Sequence, residues 1–286
     1  MTGRRNNPLR VGRIDYANAW PLFHYLEEYT EQAGIDVVLK VPAELNRLLR
    51  EGEIQVSAVS SFAYGMNDQD YILMPHLSVG SEGKVNSILL FLKEPIESSP
   101  PGRIAVTTTS ATSVNMLKIL MNKYYEINPA YEPAEPDLDR MLEGADGALL
   151  IGDPAIRESW ENKGLTVIDL GEVWNKWTGL AMTYAVVAAR KEAVEASPEA
   201  FNRLYEAFAA SKEQSVNNLS PLISKACEQL GGDRAYWQMY FTSLNYDFGP
   251  KQQEGLTLYF RYAKELGLLD HEVSLHFYKE ETLPNR

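Results

Sequence analysis

Residues 10–26 begin as a short apolar strand, break into a polar turn around Asn18, and resume with a different period. Leu22, Tyr25, Leu26 and Tyr29 fall at i, i+3, i+4 and i+7, the spacing of one helical face, and Pro21 suits a first helical turn. Asn18 is therefore predicted where a strand hands over to a helix. In open α/β sheets ligands bind at such junctions, beside backbone N–H groups that the helix leaves free.

The same alternation continues. Residues 36–41 read as a second strand, and 44–50, with Leu45, Leu48 and Leu49, as a helix stopped by Gly52. Residues 54–59 form a third strand, after which Ser60-Ser61 opens a helix start before Phe62-Ala63-Tyr64. These serines read first as helix caps, and a cap with spare N–H groups is also an anion site. A short strand at 71–74 and a longer one at 87–92 follow; the second is apolar almost throughout, as expected of a strand buried on both faces. Between them 80–86 is polar. The turn-rich segment 93–102, with Pro95, Pro100, Pro101 and Gly102, reads as a crossing into a second lobe.

That second lobe starts as the first did. Strand 103–107 runs into Thr108-Thr109-Ser110-Ala111-Thr112-Ser113 and a helix with Val114, Leu117, Leu120, Met121 and Tyr124 on one face. A proline- and acid-rich loop (128–136), a short helix (138–142) and a buried strand (147–151) lead to Gly152-Asp153-Pro154, where Asp153 reads as a helix cap. Strand 166–170 precedes 172–178, whose Trp174 and Trp177 suit either the core or a cleft wall. Strand 181–188 reads as the return crossing, and the rest is helical: 198–211, 219–230, 234–244 and 252–266. The expected architecture is α/β with two lobes, one discontinuous (1–92 with 182–286) and one inserted (93–181), with a small-ligand cleft between them.

Composition narrows the function. With 286 residues, 45% of them hydrophobic, the chain buries a full core. A net charge of -12 disfavours nucleic acid or an anionic membrane as partner, though local dipoles still receive a small anion. Two arginines near the start are followed by no apolar run and no stretch approaches spanning length, so a cytoplasmic protein without a membrane partner is expected. The single cysteine, Cys227, excludes an internal disulfide and cysteine-ligated metal.

The catalytic inventory is sparse. His24 sits on the first helix, where a lone histidine usually packs; His271 and His276 lack a third ligand, so no metal site is expected. Neither a G-x-S-x-G elbow, a G-x-G-x-x-G loop nor a phosphate-binding loop occurs. The hydroxyl run at 108–113 therefore suits a carboxylate better than a triphosphate. Two readings remain from the residues alone. One is a solute-binding module closing on an organic anion; the other is an enzyme using that closure to hold an anion in a reactive geometry.

Five ordered motifs go further. Tyr16-Ala17-Asn18-Ala19-Trp20-Pro21-Leu22, Ser87-Ile88-Leu89-Leu90-Phe91, Thr109-Ser110-Ala111-Thr112-Ser113, Leu150-Ile151-Gly152-Asp153-Pro154-Ala155 and Trp177-Thr178-Gly179-Leu180 resemble those of the menaquinone-biosynthesis MqnA/MqnD family. Asn245-Tyr246 and Gly255-Leu256 extend the resemblance over nearly the whole chain. The branch that makes dihydroxynaphthoate typically has a cysteine-proline-rich first turn and a histidine base after the fourth motif strand. Here those places hold Ala17-Asn18-Ala19 and Gly152-Asp153, which favours the chorismate dehydratase branch.

The resemblance implies a type II periplasmic-binding-protein-like fold with an interlobe cleft and two hinge crossings. It also implies dehydration of chorismate to 3-[(1-carboxyvinyl)oxy]benzoate in the futalosine pathway, without metal, flavin or nicotinamide. It places Asn18 and Ser87 beside the ring. Ser60 and Ser61 in one lobe and Thr109, Ser110, Thr112 and Ser113 in the other are expected to receive the two carboxylates, with Asp153 at the site. Asparagine is no base, so the expected proton acceptor is the substrate's own enolpyruvyl carboxylate, with Asp153 and His24 as rivals.

Overall fold

In the computed structural model, residues 9–30, 35–40, 42–161 and 163–278 are described. The predicted strand end at Val41 and most of the N-terminal charged segment (1–8) lie outside them. The strands are β1 (Leu9–Arg13), β2 (Ile35–Leu39), β3 (Val56–Ser60), β4 (Tyr71–Ser81), β5 (Ile88–Leu92), β6 (Arg103–Thr107), β7 (Ala130–Ala134), β8 (Gly147–Ile151), β9 (Thr166–Asp169), β10 (Met182–Arg190) and β11 (Leu244–Asn245).

They form two sheets of one plan. The first runs β11-β4-β10-β3-β1-β2 and the second β7-β6-β8-β5-β9. In each, the first parallel strand lies at the centre of a trio, β2-β1-β3 or β7-β6-β8. Each trio is then extended by an antiparallel strand that has just crossed from the other lobe, β10 or β5. Burial follows position. β5 is buried at all five residues, whereas the edge strands β2 and β7 are half-exposed, and Pro133 in β7 sits where a missing N–H costs no ladder bond.

β5 corrects the expected lobe boundary. It pairs with β8 and β9 in the second sheet, so the first crossing is the polar segment 82–87 and not 93–102, which connects β5 to β6 within the second lobe. Turn chemistry marks a bend without saying whether the chain changes sheet. Three local expectations also shift. β4 continues through Pro75 and His76 to Ser81, with a register shift against β10 and a left-handed His76 (φ 57°). The proline- and acid-rich stretch contains β7. The first helix is a 3-10 turn at Ala17–Ala19 followed by two short helices, Trp20–Phe23 and Leu26–Thr30.

The tryptophans belong to packing. Trp174 is fully buried and its indole N–H donates to the Ala181 carbonyl at 3.2 Å, while Trp177 stacks on Tyr262 at 5.2 Å. They seat helix Leu170–Thr178 against helix Pro250–Glu265. Gly255 explains why that second helix approaches so closely, since a Cβ there would lie 1.9 Å from the Ala181 oxygen. Among the described residues no helix is long and apolar enough to cross a membrane, and no three His, Cys, Asp or Glu residues are grouped as metal ligands.

Candidate functional site

Four strand ends face one cleft, two from each lobe, and two of the hydrogen bonds between the lobes join those ends. The Ala17 amide, just past β1, donates to Asp153 Oδ1, just past β8, at 3.3 Å. The Phe62 amide, past β3, donates to Thr112 Oγ1, past β6, at 2.9 Å. β1 corresponds to β6 and β3 to β8 in the shared sheet plan, so the two bonds are related by a pseudo-twofold exchange of lobes. In both, lobe one supplies a backbone amide and lobe two a side-chain acceptor.

The β3/β6 half is built of hydroxyls. Ser60 caps helix Ser61–Gly65 by accepting from the Ala63 amide at 3.2 Å. Ser110 caps helix Ala111–Ile119 by accepting from the Ser113 amide at 3.3 Å, and the Ser110 and Ser113 hydroxyls lie 3.0 Å apart. Thr109, half-buried, exchanges a hydrogen bond with Thr107 at 2.8 Å. Two of the expected binding residues have protein partners instead. The fully buried Ser61 hydroxyl donates to the Thr183 carbonyl at 2.8 Å, and Thr112 accepts the Phe62 amide through its hydroxyl and the Tyr259 hydroxyl through its carbonyl. Each braces the cleft wall, because serine and threonine meet backbone groups as readily as ligand oxygens.

The β1/β8 half carries the charge. Asn18 lies half-buried in the 3-10 turn, one residue from the amide that meets Asp153. Tyr16 spans three strand ends: its ring packs on the backbone of Gly152, and its hydroxyl interacts with Thr109. Gly152 adopts φ 63°, a left-handed turn that a side chain would strain, and its amide donates to the Ser87 carbonyl at 2.7 Å. Asp153 is 9% exposed, and burial pushes its carboxyl up to about 6; the Ala17 amide, Arg157 and Lys225 oppose this and Asp15 reinforces it. It is thus poised to exchange a proton near neutrality.

Ser87 lies in the first crossing, 1% exposed, donating to the Val85 carbonyl at 3.3 Å. The crossing is pinned by Asp169, whose carboxylate accepts the Val85, Asn86 and Glu172 amides. Sequence reasoning missed Asp169. Its spacing to Glu172 is that of a capping box and was the available signal. Tyr16 was also missed, since no local pattern tells a site tyrosine from a core one.

His24 closes helix Trp20–Phe23 with its ring 4.5 Å from Tyr25. Burial lowers its pKa, and Lys225 and Arg13 lower it further, with Glu28 opposing. The charged groups that act on it are those two cations and Glu28, none of the cleft residues. Lys225 lies 3.9 Å over the Trp20 ring and 3.7 Å from Asp15, which accepts from the Trp20 indole at 3.0 Å, so this group braces the Asn18 turn. A separate depression of about 240 Å³, lined by Phe91, Leu138, Trp160 and Lys163 among others, lies on the second lobe; its lysine is already matched by Asp139 and Glu158.

A family model described as menaquinone biosynthesis matches residues 9–265. The chorismate dehydratase of Thermus thermophilus is 34% identical over 276 residues, covering 91% of this chain and 96% of that protein. The 1,4-dihydroxy-6-naphtoate synthase of the same organism is 23% identical over 271 residues, with 91% and 95% covered. In structure, the periplasmic aliphatic sulphonate binding protein SsuA from Escherichia coli superposes with a TM-score of 0.66 at 14% identity, covering 98% of this chain and 96% of that one. At that identity the likeness establishes the shared two-lobed fold alone.

Proposed function

Because the chain belongs to the menaquinone-biosynthesis family, we propose that it is a chorismate dehydratase, a cytoplasmic hydro-lyase that converts chorismate to 3-[(1-carboxyvinyl)oxy]benzoate and water. The observation that carries this reading is the meeting of the Asn18 turn with Asp153 across a cleft whose other half is lined with hydroxyl caps. The 34% identity to a chorismate dehydratase, against 23% to the naphthoate synthase, supports the branch.

The chemistry asks little of the protein beyond placement. A proton leaves the ring carbon bearing the enolpyruvyl ether, hydroxide leaves the adjacent carbon, and the ring becomes aromatic. The two carboxylates of the substrate are received by the Ser110 cap with its helix N-terminus and by Ser60, with Ser113 and Thr109 completing that wall. Asn18 and Ser87 flank the ring, and the Asn18 carboxamide orients the hydroxyl that departs. The enolpyruvyl carboxylate accepts the ring proton intramolecularly. Asp153, with its carboxyl near 6, is one protein-based rival; His24, whose pKa is lowered by burial and by Lys225 and Arg13, is the other.

Chorismate incubated with the purified protein tests the reading by ultraviolet spectrum and mass. Loss of one water with an aromatic product supports it, whereas binding without conversion leaves a receptor-like module. Among variants, Asp153→Asn and His24→Ala keep turnover within about tenfold if the substrate supplies the base. A dead Asp153→Asn that still binds chorismate assigns the proton to Asp153.

A further inference from the structure

The first crossing is short and holds a strained backbone. Within 82–87, Gly83 (φ 107°) and Asn86 (φ 59°) are both left-handed, and of the two only Asn86 carries a side chain that such a turn strains. Asn86 is fastened on both sides. Its side-chain amide donates to Ser243 of the first lobe at 3.1 Å, and its backbone amide donates to Asp169 of the second at 2.7 Å. The Val85 amide joins it on Asp169 at 3.1 Å, and the Glu172 amide, at 3.0 Å, makes Asp169 the cap of helix Leu170–Thr178. Asp169 is 8% exposed, and these three partners are all N–H donors. Both carboxylate oxygens are engaged, Oδ1 with Glu172 and Oδ2 with Asn86. Only a group that accepts at both atoms satisfies that arrangement; a carboxamide would turn its NH2 against an amide.

Capping does not account for all of this. Asp137 and Asp233 also cap helices, each through an amide three residues on, at Arg140 and Tyr236. Asp169 reaches beyond its own helix, to a segment 83 residues earlier in the chain. Ser87 follows that segment directly. Its hydroxyl donates to the Val85 carbonyl at 3.3 Å, and its carbonyl accepts the Gly152 amide at 2.7 Å. Gly152 leads into Asp153, which takes the Ala17 amide at 3.3 Å. Ser87 thus sits where the fastened crossing joins the turn that carries Asp153, and the Asn86 turn sets where it lies.

We propose that Asp169 is a positioning residue for the dehydration: by holding the Val85 and Asn86 amides it fixes Ser87 in the place where the ring meets it. This rests on the dehydratase reading, in which Ser87 flanks the ring. A buried carboxylate suits the task because its hydrogen bonds to the crossing are charge-assisted, and its charge is matched by amides. Misplacing a site group by about 1 Å costs up to about a hundredfold in rate.

Asp169→Asn, Ser87→Ala and the double variant test this in the full chain, with chorismate kinetics and thermal melting as readouts. Asparagine still caps the helix but loses one acceptor toward the crossing. Folded Asp169→Asn is expected to lower kcat about tenfold with KM within about twofold. In the Ser87→Ala background the same change costs less than about twofold, because the group it positions is gone. Should Asp169→Asn not fold, Asn86→Ala strains the same left-handed turn while keeping its amide, with about a threefold loss of kcat absorbed in the same way. Wild-type kcat, or a change confined to KM, overturns the inference. So does a loss that multiplies in full with that of Ser87→Ala, which marks a purely structural role. Wild type that leaves chorismate unchanged overturns the dehydratase reading itself, and the inference with it.

Discussion

The two halves of the cleft follow one backbone plan and carry different chemistry. At β3/β6 the two lobes meet through neutral hydroxyls, and serines at 60 and 110 cap helix starts. At β1/β8 the strand-to-helix turns hold a carboxamide, Asn18, and a carboxylate, Asp153, whose pKa burial raises to about 6. A neutral wall with helix amides accepts a dianion without repulsion. A wall with one titratable group tolerates the anion only if that group is hydrogen-bonded or protonated, as Asp153 is by the Ala17 amide. On the proposed dehydratase reading the first half holds the substrate and the second reacts.

The sharpest break of this contrast is Asn18→Ala. If the β1/β8 half is the reacting one, kcat falls by about 10²–10³ with chorismate affinity nearly intact, as read by steady-state kinetics beside calorimetric binding; normal kcat with weak binding would invert the assignment of the halves. Next in size is Asp153→Asn, followed by chemical denaturation across pH. The folded-state carboxyl lies above its unfolded value of 3.8, so its stabilising contribution is full below that value and is lost as pH rises through about 6. Asp15, Arg157, Lys225, Tyr16 and Tyr240 face this group; the first three shift it, while the phenols stay neutral across this range. The variant should exceed wild type at pH 7.5 by on the order of 2 kcal/mol, with the gap closing toward pH 4.

Smaller effects belong to the holding half. Ser110→Gly keeps a residue tolerated at a helix cap and removes the hydroxyl, so KM should rise about tenfold with kcat within about twofold. Smallest is Thr112→Val, which leaves the Phe62 amide unmet in a buried place; a loss of about 1 kcal/mol in a urea melt is expected, with kcat unchanged. A large kcat defect there would put reacting groups in both halves.

Much of this was legible in the residues. Strand-to-helix junctions near Asn18, Ser60, Ser110 and Asp153 follow from period changes, and at Ser60 and Ser110 from cap chemistry; Asp153, expected as a cap, lies instead in the first turn of its helix, whose cap is Ile151. The placement of β5 was not legible, because a uniformly apolar strand fits the centre of either sheet equally well. The same holds for hydroxyls: nothing local distinguishes Ser61, which faces the Thr183 carbonyl, from Ser110, which caps at the cleft. Trp174 and Trp177 needed the partner helix Pro250–Glu265 before their place in the packing could be known.

The sequence by itself determined the α/β alternation, the four polar helix starts and the family, since these rest on contacts within a few residues and on motifs in fixed order. Only the tertiary structure decided which start faces which. Ala17 meets Asp153 across 136 residues and Phe62 meets Thr112 across 50, and Asp169 takes the Asn86 amide across 83. Those pairings depend on how two sheets close over each other, and closure is set by the packing of the whole chain.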